Sequence, residues 1–283
     1  MPIIAARTID RIREEIEALK REGKRIAFVP TMGALHEGHT SLIQKAHQFA
    51  DEVVVSIFVN PTQFGPNEDY SKYPRTIEED LQRCEEQGVK LAFCPDTDQL
   101  YKKESLIQLN LKTLGDHLCG RTRPGHFNGV IQIVNKLFNI VKPQVAVFGQ
   151  KDIQQFRILE QMVQEFNHDI QIVMAETMRA ADGLALSSRN RYLTTEERVL
   201  APLLYQTLLW CRTEIVERNP VSETLKTAIN DLEKAGLQVD YLEFVRYDDL
   251  QPATKLKHKE DYILAGAVFL SKARLIDNVM FRG

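Results

Sequence analysis

The first 173 residues alternate short apolar runs rich in β-branched residues with amphipathic stretches of helical period. Strands are predicted over 25–29, 53–58, 91–93, 145–148 and 170–173, and helices are predicted to begin near Thr8, Gly38, Thr76, Asn128 and Asp152. This alternation is typical of parallel strands, because each parallel pair needs a long crossover connection, usually a helix. The predicted fold class is α/β, with a Rossmann-like parallel sheet flanked by helices.

A polar stretch containing Gly, Ser and Asn, 178–191, predicts a boundary between two domains. Beyond it, a helix is predicted over 221–235, and extended segments are predicted over 237–246 and 261–270. The sequence therefore predicts a larger domain of residues 1–177 and a smaller, mixed α/β C-terminal domain of residues 178–283.

Two capping boxes are predicted from the spacing of a threonine and a glutamate three residues apart. Thr76 and Glu79 are expected to begin one helix. Thr194 and Glu197 are expected to begin another, which should run without a break to about residue 216.

Composition limits the classes of function. The chain has 283 residues and is 43% hydrophobic, which is enough to bury a substantial core. Its 36 Lys and Arg against 39 Asp and Glu give a net charge of −3, which disfavours a nucleic-acid partner. The four cysteines lack C-x-x-C spacing, so we expect reduced thiols in a cytoplasmic protein.

Membrane association is not expected from the apolar pattern. The longest apolar stretch, 262–270, is far shorter than the roughly 20 residues that span a bilayer. The N-terminus is charged and lacks the apolar core of a signal peptide.

The segment 30–39, with the sequence PTMGALHEGH, lies between the predicted strand 25–29 and a predicted helix over 40–49. A strand that turns into a helix leaves backbone N–H groups unpaired at the helix start, where the helix dipole also favours negative charge. Gly33 and Gly38 would allow a ligand to approach the backbone closely. The junction therefore predicts a phosphate site.

His36 and His39 are three residues apart, so on a helical first turn both rings would project from one face and could donate to one polyphosphate. Neither G-x-x-x-x-G-K-[ST] nor G-x-G-x-x-G is present. Zinc is a weaker alternative, because the spacing is not the i, i+4 of H-E-x-x-H and no third ligand is evident nearby. The remaining alternative is a helix start whose histidines face water.

The chain resembles the pantothenate synthetases, which belong to the H-x-G-H nucleotidyltransferase superfamily with the class I aminoacyl-tRNA synthetases. Besides the 30–39 segment, the matching motifs are FVNPTQF at 58–64, YPRT at 73–76, RPGHF at 123–127, FGQKD at 148–152, DGLALSSRN at 182–190 and ARLIDN at 273–278. The resemblance runs from end to end, with the motifs in order.

The resemblance implies an AMP-forming ligase with two steps. The carboxylate of (R)-pantoate attacks the α-phosphate of ATP to give pantoyl adenylate and pyrophosphate. β-Alanine then displaces AMP and forms the amide of pantothenate, a coenzyme A precursor. Mg²⁺ would bridge phosphates and be held mainly by ATP, and no dedicated protein metal site is expected. A homodimer is also implied.

The resemblance assigns roles to residues of this chain. His36, His39 and Lys151 would be catalytic, with His39 the proton donor, and residues 1–177 would bind ATP and pantoate while 178–283 close over the nucleotide. ATP would be bound by Met32, Gly33, Ala34, Leu35, His36, Glu37, Gly38, His39, Gly149, Gln150, Lys151, Asp152, Met178, Leu186, Ser187, Ser188 and Arg189.

Lys151 and Asp152 follow a predicted strand, so the ammonium could reach phosphate from the sheet edge. The resemblance implies that Asp152 holds the ribose hydroxyls. The preference of aspartate for the start of a helix predicts instead that Asp152 is only an N-cap. Residues 187–189 would form a mobile clamp over phosphates; the alternative is a helix-start loop with hydroxyl caps.

Gln63 and Gln155 would bind pantoate, and Gln63 would also contact β-alanine. Their amides both donate and accept, which suits a substrate with hydroxyls and a carboxylate. Arg121, Arg123 and His126 are interpreted as solvated and left out of the site.

The chain departs from the common family pattern at three positions. Thr62 and Gln132 replace the usual methionine and threonine near the pantoate pocket, and Lys102 replaces a frequent proline. Gln132 could narrow or rewire the acid pocket, whereas Lys102 is interpreted as a loop change.

Two other functions stay open. One is a different H-x-G-H nucleotidyltransferase acting on a phosphorylated small molecule, which should offer Arg or Lys where this chain has Gln63 and Gln155. The other is a catalytically silent nucleotide-binding regulator. Retention of both histidines and Lys151 counts against the latter, because a mere binder would tolerate their loss.

Overall fold

The computed structural model describes residues 2–66, 68, 70–101 and 105–283, so Lys102 lies outside the described residues. The chain divides into two compact units. The first comprises Met1–Asn110, Gly125–Gly149 and Ile158–Glu176, and the second comprises Leu111–Pro124, Gln150–Arg157 and Thr177–Gly283. The long C-terminal piece of the second unit begins one residue before the expected start at 178. The two shorter pieces, Leu111–Pro124 and Gln150–Arg157, come from the half of the chain assigned by sequence to the first domain.

The first unit is built on a wholly parallel sheet, as predicted, but it has six strands where five were predicted. Its strands are β1 (Ile4–Ala6), β2 (Ile26–Thr31), β3 (Glu52–Ile57), β4 (Leu91–Phe93), β5 (Val145–Gly149) and β6 (Gln171–Ala175), in the spatial order β1-β4-β3-β2-β5-β6. The sheet is covered, since residues of β2 and β3 on both faces are buried, which explains their continuous apolar runs.

The helices of both units are numbered here in chain order. They are α1 (Ile9–Arg21), α2 (Glu37–His47), α3 (Ile77–Glu86), α4 (Thr97–Leu100), α5 (Leu118–Thr122), α6 (His126–Val141), α7 (Ile153–Glu165), α8 (Thr195–Leu200), α9 (Leu203–Val216) and α10 (Val221–Lys234). The predicted start of α2 near Gly38 agrees to within one residue, whereas the span 40–49 begins three residues too late. The helix begins at Glu37, immediately after His36, because the His36 side chain caps it.

The order of the strands places a switch point between β2 and β5. From β2 the chain moves outward through β3 to β4, and it then returns to the other side of β2 as β5. Ligands of open parallel sheets bind at the carboxyl ends of the strands beside such a point. The segment that leaves β2 there is the H-x-G-H junction.

The second unit contains an antiparallel sheet of β7 (Gln238–Arg246), β8 (Asp261–Leu270) and β9 (Ala273–Arg282), in that order. Helices α9 and α10 supply the apolar side of its core, which includes Leu208, Cys211, Leu232, Leu264 and Val279. The prediction of one unbroken helix over 194–216 is wrong. The helix breaks before α9 because Pro202 has no N–H to continue the ladder.

The two predicted capping boxes have different outcomes. Thr194 and Glu197 form one, with Glu197 N–H donating to Thr194 Oγ1 at 3.2 Å and Thr194 N–H to Glu197 Oε2 at 2.9 Å. The box at Thr76 and Glu79 is wrong. The Thr76 hydroxyl makes no cap hydrogen bond and donates instead to Asp80 Oδ2 at 3.3 Å.

All four cysteines are free and buried. Among the helices of the described residues, none has the length and apolar character needed to cross a membrane.

Candidate active site

The start of α2 is held by a reciprocal pair of histidine caps. His36 Nδ1 accepts the N–H of Gly38 at 3.1 Å, and His39 Nδ1 accepts the N–H of His36 at 3.3 Å. The two ring centroids are 4.2 Å apart. The arrangement is a capping box in which imidazole replaces the usual hydroxyl and carboxylate.

These caps determine which ring nitrogen carries the proton. A neutral imidazole has one donor and one acceptor nitrogen. Both Nδ1 atoms accept backbone hydrogens, so each neutral ring of His36 and His39 carries its hydrogen on Nε2. The pair is therefore arranged to offer two N–H donors from adjacent rings.

The expected set of unpaired backbone N–H groups is wrong for most of this helix start. The N–H of Gly38 is capped by His36, and those of His39 and Thr40 donate to the His36 carbonyl at 2.7 and 3.1 Å. The N–H groups of Gly38, His39 and Thr40 are therefore already paired within the helix start.

The loop before His36 is fixed by a buried carboxylate that sequence reasoning missed. Asp80, only 1% exposed, accepts the N–H of Ala34 at 2.9 Å and of Leu35 at 2.7 Å. Gly33 has φ of +81°, and a Cβ there would lie 2.9 Å from Asp80 Oδ2. Glycine is required at this position both for its backbone conformation and for the approach of Asp80.

Gln63 ends a 3₁₀ turn, Pro61–Gln63, that follows β3, and its side chain is largely buried. Its Nε2 donates to Met32 Sδ at 3.0 Å, and its Oε1 accepts from Asn60 Nδ2 at 3.1 Å. The structure therefore brings Gln63 to the loop that carries the histidines, beside the carboxyl ends of β2 and β3. The amide of Gln63 is oriented by neighbours on both sides.

Asn60 and Tyr101 stabilise this turn through hydrogen bonds. Asn60 Nδ2 also donates to the Gly129 carbonyl at 3.2 Å, and its Oδ1 accepts the Tyr101 hydroxyl at 2.9 Å. Burial raises the pKa of Tyr101, so its hydroxyl stays a donor. The Asn-Pro pair at 60–61, which favours turn initiation, was the available sequence signal for Asn60.

His126 is not the solvated residue expected from sequence. It is the first residue of α6, and its Nδ1 lies 2.7 Å from the Gln63 carbonyl oxygen, so that nitrogen carries the donated hydrogen. Arg121 is also paired, with Nη2 2.8 Å from Glu243 Oε1, although half of its side chain is exposed.

Gln132 and Thr62, the two described residues that differ from the common family pattern, both make polar contacts. Gln132 Oε1 accepts the N–H of Leu109 at 3.1 Å, which ties α6 to the preceding loop. Thr62 is exposed, and its hydroxyl donates to Asn60 Oδ1 at 3.0 Å. Each polar side chain thus has a structural partner of its own.

In the second unit, Lys151 lies in a 3₁₀ turn, Gln150–Asp152, that directly follows β5. Its Nζ is 3.4 Å from Asp152 Oδ2, and its side chain is 19% exposed. Asp152 and Lys151 are therefore an adjacent ion pair at the start of α7. Gln155, on the first turn of α7, is half-buried, and its assignment to pantoate stays a prediction.

The segment around the predicted phosphate clamp is a short hairpin rather than an open loop. Arg179 and Ala185 form an antiparallel bridge, and Leu186 N–H donates to the Met178 carbonyl at 2.9 Å. Ser187 then caps a 3₁₀ helix, Ser188–Tyr192, by accepting the N–H of Arg189 at 3.3 Å. The hydroxyl-cap alternative thus describes what Ser187 does here.

A cavity of about 260 Å³ lies beside the H-x-G-H loop in the first unit. Its lining includes Met32, Gly33, Tyr70, Arg7, Arg75 and Asp96, but not His36, His39 or Gln63. The cavity therefore borders the loop at Met32 and Gly33 and does not coincide with the histidine pair.

A Rossmann-like sheet with paired histidine donors at its switch point defines an α/β protein of the kind that binds nucleotides at strand ends. The family model for pantoate-beta-alanine ligase matches residues 4–280. The chain belongs to the pantoate–β-alanine ligase family.

Individual relatives agree along almost the whole chain. The pantothenate synthetase of Coprothermobacter proteolyticus is 48% identical over 279 residues, covering 97% of both chains. That of Bacillus subtilis is 47% identical over 275 residues, covering 96% of this chain and 95% of the relative.

Two solved structures share the fold. The pantothenate synthetase of Thermus thermophilus superposes with a TM-score of 0.89 at 40% identity, covering 99% of each chain. The pantoate-beta-alanine ligase of Francisella tularensis, crystallised with β-γ ATP and β-alanine, has a TM-score of 0.81 at 36% identity, covering 98% of this chain and 97% of the other.

Proposed function

We propose that this chain condenses (R)-pantoate with β-alanine to pantothenate at the expense of ATP, through pantoyl adenylate, with release of AMP and pyrophosphate. The observation that carries the proposal is family membership over residues 4–280. The ligands named for the Francisella tularensis structure, an ATP compound and β-alanine, support the same substrates here.

The first step joins two anions, so it needs positioning and charge neutralisation rather than a protein nucleophile. His36 and His39 donate through Nε2 to the phosphates, and His39 is the proton donor. Lys151 adds a point charge from the turn after β5, and Asp152 beside it holds the ribose. Gln63 and Gln155 bind pantoate through their amides, and Gln63 also contacts β-alanine. The other loop residues assigned to ATP by sequence complete this proposed site.

Mg²⁺ enters this reaction bound to ATP and is part of the substrate. Within the described residues, no group of three or more His, Cys, Asp or Glu is arranged to hold a metal ion. Mg²⁺ keeps several waters and is commonly held by substrate phosphates.

The location and assembly of the protein are also proposals. Its relatives are biosynthetic enzymes, and its four cysteines are free, which supports a cytoplasmic enzyme. A homodimer is proposed from the family resemblance. Closure of the C-terminal residues over the nucleotide is proposed on the same basis.

The test measures pyrophosphate and AMP release from ATP, Mg²⁺ and pantoate, with and without β-alanine. AMP formation that requires β-alanine is expected, together with a pantoate-dependent exchange of labelled pyrophosphate into ATP when β-alanine is omitted. The exchange reports the adenylate, because it reverses the first step alone.

Other hydroxy acids and other amines are the controls. Release of pyrophosphate with a phosphorylated acceptor, but not with pantoate, would identify a different nucleotidyltransferase. ATP binding without turnover on any acceptor would favour the regulator.

A further inference from the structure

The motif at 273–278 has no role in the site described so far. In the structure it lies on β9, and two of its polar residues are buried, Asp277 at 4% and Asn278 at 1% exposure. A buried polar side chain costs stability unless its hydrogen bonds are made. The partners of these two residues therefore show what β9 is built to hold.

Asn278 holds the turn that carries Lys151. Its Nδ2 donates to the carbonyl of Gln150 at 2.9 Å and to that of Lys151 at 3.0 Å, and its Oδ1 accepts from Gln150 Nε2 at 3.4 Å. One side-chain amide thus satisfies two consecutive backbone carbonyls of a single 3₁₀ turn. No other residue type of this size offers two donors and one acceptor in that geometry.

Asp277, the preceding residue, holds the hairpin before Ser187. Its carboxylate binds Arg179 in a bidentate pair, at 2.5 and 2.9 Å. The same guanidinium stacks over the Tyr205 ring at 3.4 Å and donates to the Gly183 carbonyl at 3.1 Å. Two adjacent residues of β9 therefore fix the two segments of the second unit that are proposed to contact phosphate.

The position of the Lys151 backbone matters because its side chain is long and flexible. Its ammonium reaches a fixed point only if the stem starts from a fixed point, and displacement of a catalytic group by about 1 Å can cost on the order of 10²-fold in rate. Asn278 does not touch the reacting atoms in this scheme; it acts through Lys151.

We propose that Asn278 is a positioning residue that sets the turn of Lys151 for the first step of the reaction. This inference rests on the proposed function. Asn278 donates to the turn, the turn places the ammonium, and the ammonium neutralises charge on the phosphates.

The variant Asn278→Asp tests it with almost no change in shape. The substitution replaces Nδ2, which donates to two carbonyls at 2.9 and 3.0 Å, by a carboxylate oxygen that would face the same two carbonyls without a hydrogen to donate. Gln154→Glu is a matched control, because Gln154 is also buried and its Nε2 donates to two carbonyls, of Leu114 and His117, both at 2.9 Å. Gln154→Glu also removes a buried amide donor from two carbonyls of the second unit, but these carbonyls are not in the Lys151 turn.

Turnover is measured for wild type, Asn278→Asp and Gln154→Glu. Each of the three is measured with and without Lys151→Ala. Lys151→Ala is expected to cost about 10² to 10³ in kcat in the wild-type and Gln154→Glu backgrounds. In the Asn278→Asp background it should cost less than in wild type, smaller by the factor that Asn278→Asp alone removes, because residues that act as a unit are not additive. Asn278→Asp alone should lower kcat by at least about 10-fold with the KM for pantoate little changed.

The inference is overturned if the two losses multiply, or if folded Asn278→Asp turns over like wild type. If Asn278→Asp does not fold, Asn278→Ala, which removes the donors without adding charge, enters the same cycle. Amide hydrogen exchange of the 149–152 segment, which needs no turnover, should accelerate in the Asn278 variant and not in Gln154→Glu; equal protection in both contradicts the inference. Failure of wild-type protein to ligate would instead refute the proposed function.

Discussion

His36 and His39 each use their two ring nitrogens for different purposes. Nδ1 of each ring caps the backbone, and the hydrogen on Nε2 is proposed for the phosphates of ATP. The spacing of three residues serves both, because it is the spacing of a capping box and of side chains on one helix face. Folding and proposed chemistry are thus combined in the same side chains but assigned to different atoms.

The two purposes can be separated by His36→Asn. Asparagine is among the best N-cap residues, so α2 should start normally and the melting temperature should stay within a few degrees of wild type. Loss of the Nε2 donor should still lower turnover by about 10² to 10³. His36→Ala removes both functions and should also lose about 1 kcal/mol of stability. Measured ligation by His36→Asn at the wild-type rate would remove His36 from the reaction.

At the level of elements, the first turn of α6 and the turn Pro61–Gln63 are packed backbone to backbone. A Cβ on Gly129 would lie 2.2 Å from the Thr62 carbonyl oxygen. The contact is reinforced by Asn60, which donates to the Gly129 carbonyl, and by His126, which holds the Gln63 carbonyl. The position of Gln63 therefore depends on how closely a helix approaches it.

Gly129→Ala should force this contact apart. We expect a loss of about 1 to 3 kcal/mol in the free energy of unfolding, measured with urea, because the obstacle is backbone and cannot rotate away. The KM for pantoate should also rise, because the substitution displaces Gln63, which is proposed to bind pantoate. Gly65→Ala is the control, because the three atoms nearest to its new Cβ belong to the flexible Glu68 side chain and lie at 3.7 to 3.8 Å. Equal stability of the two variants would show that the close approach is not a constraint.

At the level of the whole molecule, each unit has its own core, and buried thiols lie in both. Cys84 and Cys94 pack in the first unit and Cys211 in the second. Burial raises the pKa of all three thiols to about 12. They stay protonated in the folded state at pH values where thiols of an unfolded chain ionise.

This difference makes stability fall in alkali. Below pH 9 the thiols are protonated in both states and contribute no pH dependence. Between pH 9 and about 12 only the unfolded chain loses these protons, so each thiol should remove about 1.4 kcal/mol per pH unit from the free energy of unfolding. Urea unfolding at pH 8.5, 9.5 and 10.5 should show a shallower decline for Cys211→Ala than for wild type. Parallel declines would contradict the buried, protonated thiol.

The parts of the fold that sequence predicted are those set by local pattern. Continuous apolar runs were sufficient to predict β2 and β3. The spacing of Thr194 and Glu197 was sufficient to predict their capping box. β1 was missed because three residues carry no periodicity and are stabilised by pairing with β4. Asp80 and Asn278 were missed because their partners lie 45 and 128 residues away in sequence, and only the folded chain brings them together.

The histidine caps also change what the H-x-G-H signature reveals about other chains. Because both rings stabilise the start of α2, a duplicated copy that lost every trace of enzymatic activity would still be favoured to keep them for its expression level. Persistence of the two histidines in such a copy is evidence of an intact helix, and it leaves open whether any reaction is still catalysed.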